Sequence, residues 1–190
     1  MSAERDGLRQ HFQALREGIP EGRAAAASGI IGGRIEAFCV SRRLRRIGVF
    51  WPRPGEVDLR PLIRKRSDWL WYFPRVASTH PPRLAWGTEP LQEGLWGRKE
   101  PVLTQHFLPP VDLLLVAGLA FDEAGYRLGE GEGYVNALLE RLDAKVQAYG
   151  VAFEAQVVGG LPLEPRDLPL SGLFTETRLR RFSAPEDGEV

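Results

Sequence analysis

The sequence has little cysteine, no excess of one charge and no long apolar run. Cys39 is the one cysteine among 190 residues, so an intramolecular disulfide is excluded, which is typical of a reducing compartment. Lysine plus arginine and aspartate plus glutamate both number 25, and this balance gives no argument for a nucleic-acid or membrane partner. No segment is apolar over the length that a bilayer requires, and no signal peptide is expected at the start of the chain. We therefore expect a cytoplasmic location, with no nucleic-acid or membrane partner.

The spacing of apolar residues predicts helices and strands in alternation. Leu113 to Val116 is a continuous apolar run, which is typical of a strand buried on both faces of a parallel sheet. Pro74 is expected to end an earlier strand. Helices are predicted over residues 3–17, 21–40, 58–66 and 133–149, strands over 47–51, 69–73, 113–116, 151–153 and 173–174, and short strands and loops over 77–110. Such alternation predicts a three-layer α/β/α domain with a mainly parallel sheet. We expect one domain over residues 1–182 and a flexible tail over 183–190.

The stretch from Asp112 to Asn136, DLLLVAGLAFDEAGYRLGEGEGYVN, combines a strand, a loop and the expected start of a helix. Glycines two positions apart leave alternate backbone positions without a Cβ, so a ligand can approach the chain closely. Backbone N–H groups in such a loop suit phosphate oxygens, and Arg127 would add a fork of charged donors. The Walker pattern fails here because it requires Gly-Lys-Ser/Thr at its end, where this chain has Gly-Tyr-Val. The dinucleotide-binding pattern fails because its glycines directly follow a strand, with the third glycine three positions after the second. A glycine-rich turn with no ligand is the alternative.

The whole stretch resembles the signature of the 5-formyltetrahydrofolate cyclo-ligase family, also called methenyltetrahydrofolate synthetases. It departs from that signature at Ala117 (usually Pro), Val135 (usually Tyr) and Asn136 (usually Asp). Further likeness covers nearly the whole chain, although unevenly. The residues that match the signature are Asp112, Val116, Gly118, Ala120, Phe121, Asp122, Gly125, Arg127, Leu128, Gly129, Gly131, Gly133 and Tyr134.

The resemblance implies a fold similar to the ribose-5-phosphate isomerase and CoA-transferase group. It implies an ATP- and Mg²⁺-dependent conversion of 5-formyltetrahydrofolate to 5,10-methenyltetrahydrofolate, in which the formyl oxygen takes the γ-phosphoryl group. ATP and the folate are then the small-molecule substrates, Mg²⁺ is the metal, and we expect a monomer. Protein groups in such a transfer chiefly align the reactants and stabilise negative charge.

The resemblance also assigns roles to residues of this chain. Arg127 and Glu56 are implied as catalytic, and Asn136 and Asp167 as the metal ligands. The folate substrate is expected to contact Trp51, Glu56, Gly133 and Tyr134. The ATP-binding residues that it implies are Arg5, Arg9, Arg127, Leu128, Gly129, Glu130, Gly131, Glu132, Gly133, Tyr134 and Val135.

The substitution at Asn136 leaves two hypotheses open. Asparagine offers a neutral carbonyl oxygen, so the predicted site has one negative charge fewer beside the cation. In the first hypothesis the chain is an active cyclo-ligase with a relaxed metal site, in which Glu130 or Glu132 replaces the missing carboxylate. In the second, it is a non-catalytic relative that binds a folate or a nucleotide.

Overall fold

A computed structural model describes residues 3–97, 99–106 and 108–182. The predicted tail, residues 183–190, lies outside the described residues. Two short 3₁₀ turns, Leu95–Gly97 and Glu154–Gln156, accompany the helices and strands. The helices are α1 (Ala3–Glu17), α2 (Glu21–Arg42), α3 (Arg60–Lys65) and α4 (Tyr134–Leu139). The strands are β1 (Arg46–Gly48), β2 (Leu70–Thr79), β3 (Pro82–Gly87), β4 (Leu91–Glu93), β5 (Lys99–Pro101), β6 (Leu113–Val116), β7 (Ala120–Asp122), β8 (Arg127–Leu128), β9 (Gln147–Val151), β10 (Val157–Val158), β11 (Gly172–Phe174) and β12 (Leu179–Arg181).

Seven strands form a mostly parallel sheet in the order β12-β11-β9-β6-β1-β2-β3. Strands β11, β9, β6, β1 and β2 run parallel, and β12 and β3 pair antiparallel at the two edges. A smaller sheet has the order β10-β7-β8, and β4 pairs with β5. Because the central strands are parallel, the segments that follow β1 and β6 emerge at the same edge of the sheet, which is where ligands bind in open α/β folds.

Alternate side chains of the central strands pack against helices on opposite faces of the sheet. Leu113 and Leu115 of β6 face a core shared with α2 and α3, whereas Leu114 and Val116 face the layer that contains α4. The helix α1 packs through Phe12 on the smaller sheet. The fold is therefore the predicted α/β class, with helices on both faces of a mainly parallel sheet.

Several of the predicted elements are wrong in extent: the strand expected over 47–51 ends at Gly48, and the strand expected over 151–153 shares only Val151 with β9. The expected helix over 133–149 ends at Leu139, and the backbone from Gln147 onward belongs to β9. Conversely, β2 is longer than predicted, because it continues through Pro74 to Thr79 instead of ending before Pro74. Pro74 lies beyond Tyr72, the last residue of β2 that pairs with β1, so its missing N–H interrupts no bond to that strand.

Cys39 of α2 is fully buried in the core. Burial raises the pKa of its thiol to about 12, so the nucleophilic thiolate does not form near neutral pH. None of the helices in the described ranges is long and apolar enough to cross a membrane.

Candidate active site

A cleft opens where β1 and β6 end, at the carboxyl edge of the parallel strands. Phe50 and Trp51 follow β1, and Ala117 and Gly118 follow β6. The cavity volume of the cleft is about 170 Å³, and one side of the cleft opens to solvent. Aromatic and aliphatic side chains line one part of it and charged groups another, which suits a ligand with a flat ring and an anionic group. The remaining wall is the glycine-rich loop, residues 129–133, with the start of α4.

The glycine-rich loop adopts a backbone that other residues rarely accept. Gly131 has φ +103° and Gly133 has φ +77°, both in the left-handed region that favours glycine. Gly133 is the residue that precedes α4. This helix has only six residues, so the loop backbone, and not a long helix dipole, must supply most of the N–H groups for an anion.

Arg127 is a cationic group that lies against this loop and lines the cleft. Its side chain donates to Ala117 O and to Asn136 Oδ1, but both hydrogen bonds are long, at 3.4 Å. Within the described residues its Nε is buried and has no hydrogen-bond partner. Burial lowers the pKa of the guanidinium to about 10, so it stays charged near neutral pH. A buried, incompletely bonded guanidinium at the wall of a cleft is suited to binding an anion.

A second cluster lies beside Arg127 and joins Arg5, Asn136 and Asp167. Asn136 Nδ2 donates to Asp167 Oδ1 at 2.9 Å, and Arg5 forms an ion pair with the same carboxylate. The backbone N–H of Glu164 donates to Asp167 Oδ2 at 2.8 Å. Burial opposes ionisation of Asp167, but the hydrogen bonds from Arg5, Glu164 and Asn136 outweigh it and lower the pKa of the carboxyl.

The predicted metal ligands are therefore adjacent, but their geometry does not fit a metal site. Asn136 presents its NH₂ group to Asp167, whereas Mg²⁺ requires oxygen atoms that converge on one point. The side chain of Asp167 is only 3% exposed, and neither residue lines the cleft. Among the residues described, no group of three acidic, histidine or cysteine side chains is placed to hold a metal ion.

Ion pairs connect the mouth of the cleft to the glycine-rich loop. Arg53 binds Glu56 at 3.0 Å and also pairs with Glu130 of the loop. Arg16 of α1 approaches the same two carboxylates, at 3.5 Å from Glu56 Oε1 and 3.8 Å from Glu130 Oε1. The Glu56 side chain is 8% exposed and still lines the cleft. Glu130 is thus engaged by two arginines beside the loop, so its charge is compensated there.

Most of the predicted site residues line the cleft, two lie next to the loop, and three form the cluster beside Arg127. Those that line the cleft are Trp51, Glu56, Arg127, Gly129, Glu130, Gly131, Glu132, Gly133, Tyr134 and Val135. Leu128 is fully buried against Phe12, so only its backbone lies near the loop. Arg9 supports the loop from outside the cleft, because its Nε donates to Gly129 O at 3.0 Å. The remaining three, Arg5, Asn136 and Asp167, form the cluster beside Arg127.

The structure also places residues in the cleft that the sequence did not single out for the site. Arg53, Trp86, Lys99 and Glu100 all line it. For Arg53 a local signal existed, since Glu56 lies three positions on in a Pro/Gly loop and offers it a nearby partner. Trp86 and Lys99 lie on β3 and β5, and no local pattern relates those strands to the glycine-rich loop.

Comparison with known proteins agrees with this fold. The model of the 5-formyltetrahydrofolate cyclo-ligase family matches residues 1–176. The Escherichia coli 5-formyltetrahydrofolate cyclo-ligase is 32% identical over 143 residues, covering 70% of this chain and 79% of the relative. The enzyme of the same name from Mycolicibacterium smegmatis is 27% identical over 186 residues, 92% of each chain.

A solved structure extends the similarity to three dimensions. The 5,10-methenyltetrahydrofolate synthetase of Aquifex aeolicus has a TM-score of 0.83 and 30% identity, covering 98% of this chain and 96% of its own. The fold and the cleft thus define an α/β protein related to enzymes of folate chemistry. The chain belongs to the 5-formyltetrahydrofolate cyclo-ligase family.

Proposed function

We propose that this protein converts 5-formyltetrahydrofolate to 5,10-methenyltetrahydrofolate with hydrolysis of ATP to ADP and phosphate. The observation that carries the proposal is the buried, incompletely bonded guanidinium of Arg127 beside a glycine-rich loop, facing an aromatic-lined cleft. The phosphates of ATP suit the loop and Arg127, and the flat ring of the folate suits the aromatic wall of the cleft.

In the proposed reaction the formyl oxygen attacks the γ-phosphorus of ATP, and the bond to the bridging oxygen of ADP breaks. The nitrogen at position 10 then attacks the activated carbon and loses its proton, and phosphate leaves with the former formyl oxygen. Such a transfer demands alignment and charge stabilisation more than covalent help from the protein.

Arg127 and the N–H groups of residues 129–133 are assigned to the phosphates. Arg127 lines the cleft, and its two described side-chain hydrogen bonds are long, so the guanidinium can turn its donors to charge that develops on the transferred group. Arg9 holds the loop through Gly129 O and thereby fixes the positions of these N–H groups. Arg5 acts on the same region through Asp167 and Asn136.

Glu56, Trp51 and Tyr134 are assigned to the folate. The carboxylate of Glu56 lines the cleft and is held by Arg53 N–H, which donates to Oε2 at 2.9 Å, and a remaining lone pair can accept an N–H group of the substrate ring. Trp51 packs edge-on against Phe73, with ring centroids 5.9 Å apart, and so presents a fixed aromatic surface. Tyr134 is nearly buried at the start of α4 and closes the opposite side.

Mg²⁺ is assigned to the nucleotide, which would enter as its magnesium complex. Bound there, the metal neutralises negative charge on the phosphate oxygens. Ligation by Asn136 and Asp167 stays a prediction of the sequence, and the hydrogen bond from Asn136 to Asp167 argues against it.

The proposed phosphoryl transfer is tested with 5-formyltetrahydrofolate that carries a heavy oxygen isotope in its formyl group. We expect the label in the released inorganic phosphate and none in ADP, because the formyl oxygen becomes a phosphate oxygen. Mass spectrometry of the phosphate is the measurement. Product formation with unlabelled phosphate would contradict the proposed route.

The second candidate, a non-catalytic relative, has its own supporting observation. Val135 and Asn136 both lie where the family signature has other residues, at the junction of the loop and α4. If folded protein binds ATP and 5-formyltetrahydrofolate in calorimetry and yet forms neither product nor ADP, this second function replaces the first.

A further inference from the structure

We infer that Asp167 and Asn136 bind no metal ion of their own in this chain, and that Arg5 takes the position of the cation on the Asp167 carboxylate. Magnesium then reaches the site only with the nucleotide. The statement about the nucleotide rests on the proposed function. The statement that Arg5, and not a metal ion, pairs with the Asp167 carboxylate does not. It depends on three features of the described residues: occupied acceptors, burial and local charge.

Both oxygens of Asp167 already accept hydrogen bonds from nitrogen. Oδ1 receives Asn136 Nδ2 at 2.9 Å, and Oδ2 receives Arg5 Nη1 and the N–H of Glu164. Arg5 Nη2 also lies 3.5 Å from Oδ1, so nitrogen donors face all four lone-pair positions of the carboxylate, and a metal ion there would have to displace at least one of them. Rotating the Asn136 amide to offer its oxygen would remove its bond to Asp167 and leave its NH₂ group beside Arg127, a cation.

Burial and charge oppose a cation at the same place. The side chains of Arg5 and Asp167 are 6% and 3% exposed, so a hydrated ion has little access to the carboxylate. Arg127 lies on the other side of Asn136, so two guanidinium groups flank the pair. Glu164 Oε1 also lies 3.8 Å from Arg5 Nε, so two carboxylates and two guanidiniums balance and leave no net negative charge to attract a divalent cation.

Asparagine at position 136 is what permits this arrangement. Two carboxylates in contact repel each other unless a cation or a proton lies between them. An amide donor beside Asp167 removes that repulsion without a metal. We therefore assign Asn136 as a positioning residue, which orients the Asp167–Arg5 pair beside Arg127 and the glycine-rich loop.

The inference is tested by titrating the full chain with Mn²⁺, a paramagnetic substitute for Mg²⁺, and counting bound ions by electron paramagnetic resonance. We expect no stoichiometric Mn²⁺ site in the protein without nucleotide and one equivalent bound when ATP is added. The variant Asn136→Asp/Arg5→Gln removes the cation from the pair and adds a second carboxylate. We expect it to gain one equivalent of Mn²⁺ without nucleotide.

The control Gln92→Glu makes the same neutral-to-acidic change at an exposed position of β4 and is expected to gain no site. Circular dichroism checks that each variant is folded. A nucleotide-free site in the unmodified protein that Asp167→Asn abolishes would overturn the inference, as would a folded double variant that still binds no Mn²⁺. A lack of Mn²⁺ binding even with ATP would overturn the nucleotide part of the proposed function and leave the state of the carboxylate as inferred.

Discussion

At the scale of single residues, Arg127 combines burial with hydrogen bonds that are long or missing. A lysine there keeps the charge but loses the planar fork whose parallel N–H groups match two oxygens of a phosphate. We expect Arg127→Lys to raise the KM for ATP about 10- to 100-fold, equivalent to a loss of about 1.5–3 kcal/mol for hydrogen bonds to a charged group. Steady-state kinetics at saturating folate is the measurement.

The matched control is Arg64→Lys, at an exposed position of α3, for which we expect unchanged kinetics. An unchanged KM for ATP in Arg127→Lys would remove Arg127 from the phosphate site.

Gly129 lies against the guanidinium of Arg127. A Cβ at position 129 would lie 2.5 Å from Arg127 Nη1, so the flexible arginine would have to move. We expect Gly129→Ala to weaken ATP binding, measured by calorimetry, about tenfold while changing the unfolding midpoint little, because the cost falls on a side chain and not on the backbone. Gly160→Ala is the control, since a Cβ there meets nothing within 4 Å. Equal ATP affinities in the two variants would contradict the assignment.

The sequence could predict those site residues that lie in one continuous stretch. Arg127 and the glycines at 129, 131 and 133 follow one another, and their spacing fits either an anion site or a glycine-rich turn with no ligand, between which the family resemblance decides. The contact from Arg5 to Asp167 spans 162 positions of the chain, and only the resemblance to a family brought the two residues into the same site. The direction of the Asn136 amide depends on its neighbours in space, so no sequence pattern predicts it.

At the scale of elements, an ion pair fixes β12 to the 3₁₀ turn after β9. Arg180 pairs with Glu154, and its hydrogen bond lowers the pKa of that carboxyl to about 2 from 4.5, although burial opposes the change. The folded-state pKa is below the unfolded value, so the pair stabilises the fold above about pH 4.5 and the effect is lost as the pH falls toward 2. The Glu154 side chain is 32% exposed, so screening reduces the contribution to about 1 kcal/mol.

We expect Glu154→Gln to lower the free energy of unfolding by about 1 kcal/mol at neutral pH. The difference from the unmodified protein should narrow by more than half between about pH 5 and pH 3. Urea denaturation at each pH measures it. The exposed Glu140, changed to Gln, serves as the control. A difference that stays constant down to pH 3 would show that the charge on Glu154 does not stabilise the fold.

Elements whose pattern is local were predictable, and those decided by neighbours were not. The stripe of Leu8, Phe12 and Leu15 predicts α1 with its observed limits. The apolar spacing of Leu138, Leu142 and Val146 continues past the end of α4, because all three pack on the sheet although only the first is helical. Val146 N donates to Asp143 O at 2.8 Å in a turn, and β9 begins at the next residue.

At the scale of the whole molecule, the parallel sheet brings distant segments to one edge. The ends of β1 and β6 lie side by side, so Trp51 and Glu56 face the loop that begins more than seventy positions later. Alternation of strands and helices was enough to predict the α/β class with its parallel sheet. The strand order and the antiparallel edges β3 and β12 depend on long-range pairing, which local periodicity does not record.

The measurement that tests the central claim most directly is formation of 5,10-methenyltetrahydrofolate, followed by its near-ultraviolet absorbance, from 5-formyltetrahydrofolate with ATP and Mg²⁺. We predict product that requires ATP and equals the ADP released. We also expect the rate to rise with Mg²⁺ concentration only as far as the fraction of ATP present as its magnesium complex rises. No product at any Mg²⁺ concentration, from folded protein that binds both substrates, would contradict the assignment of this chain as an active cyclo-ligase.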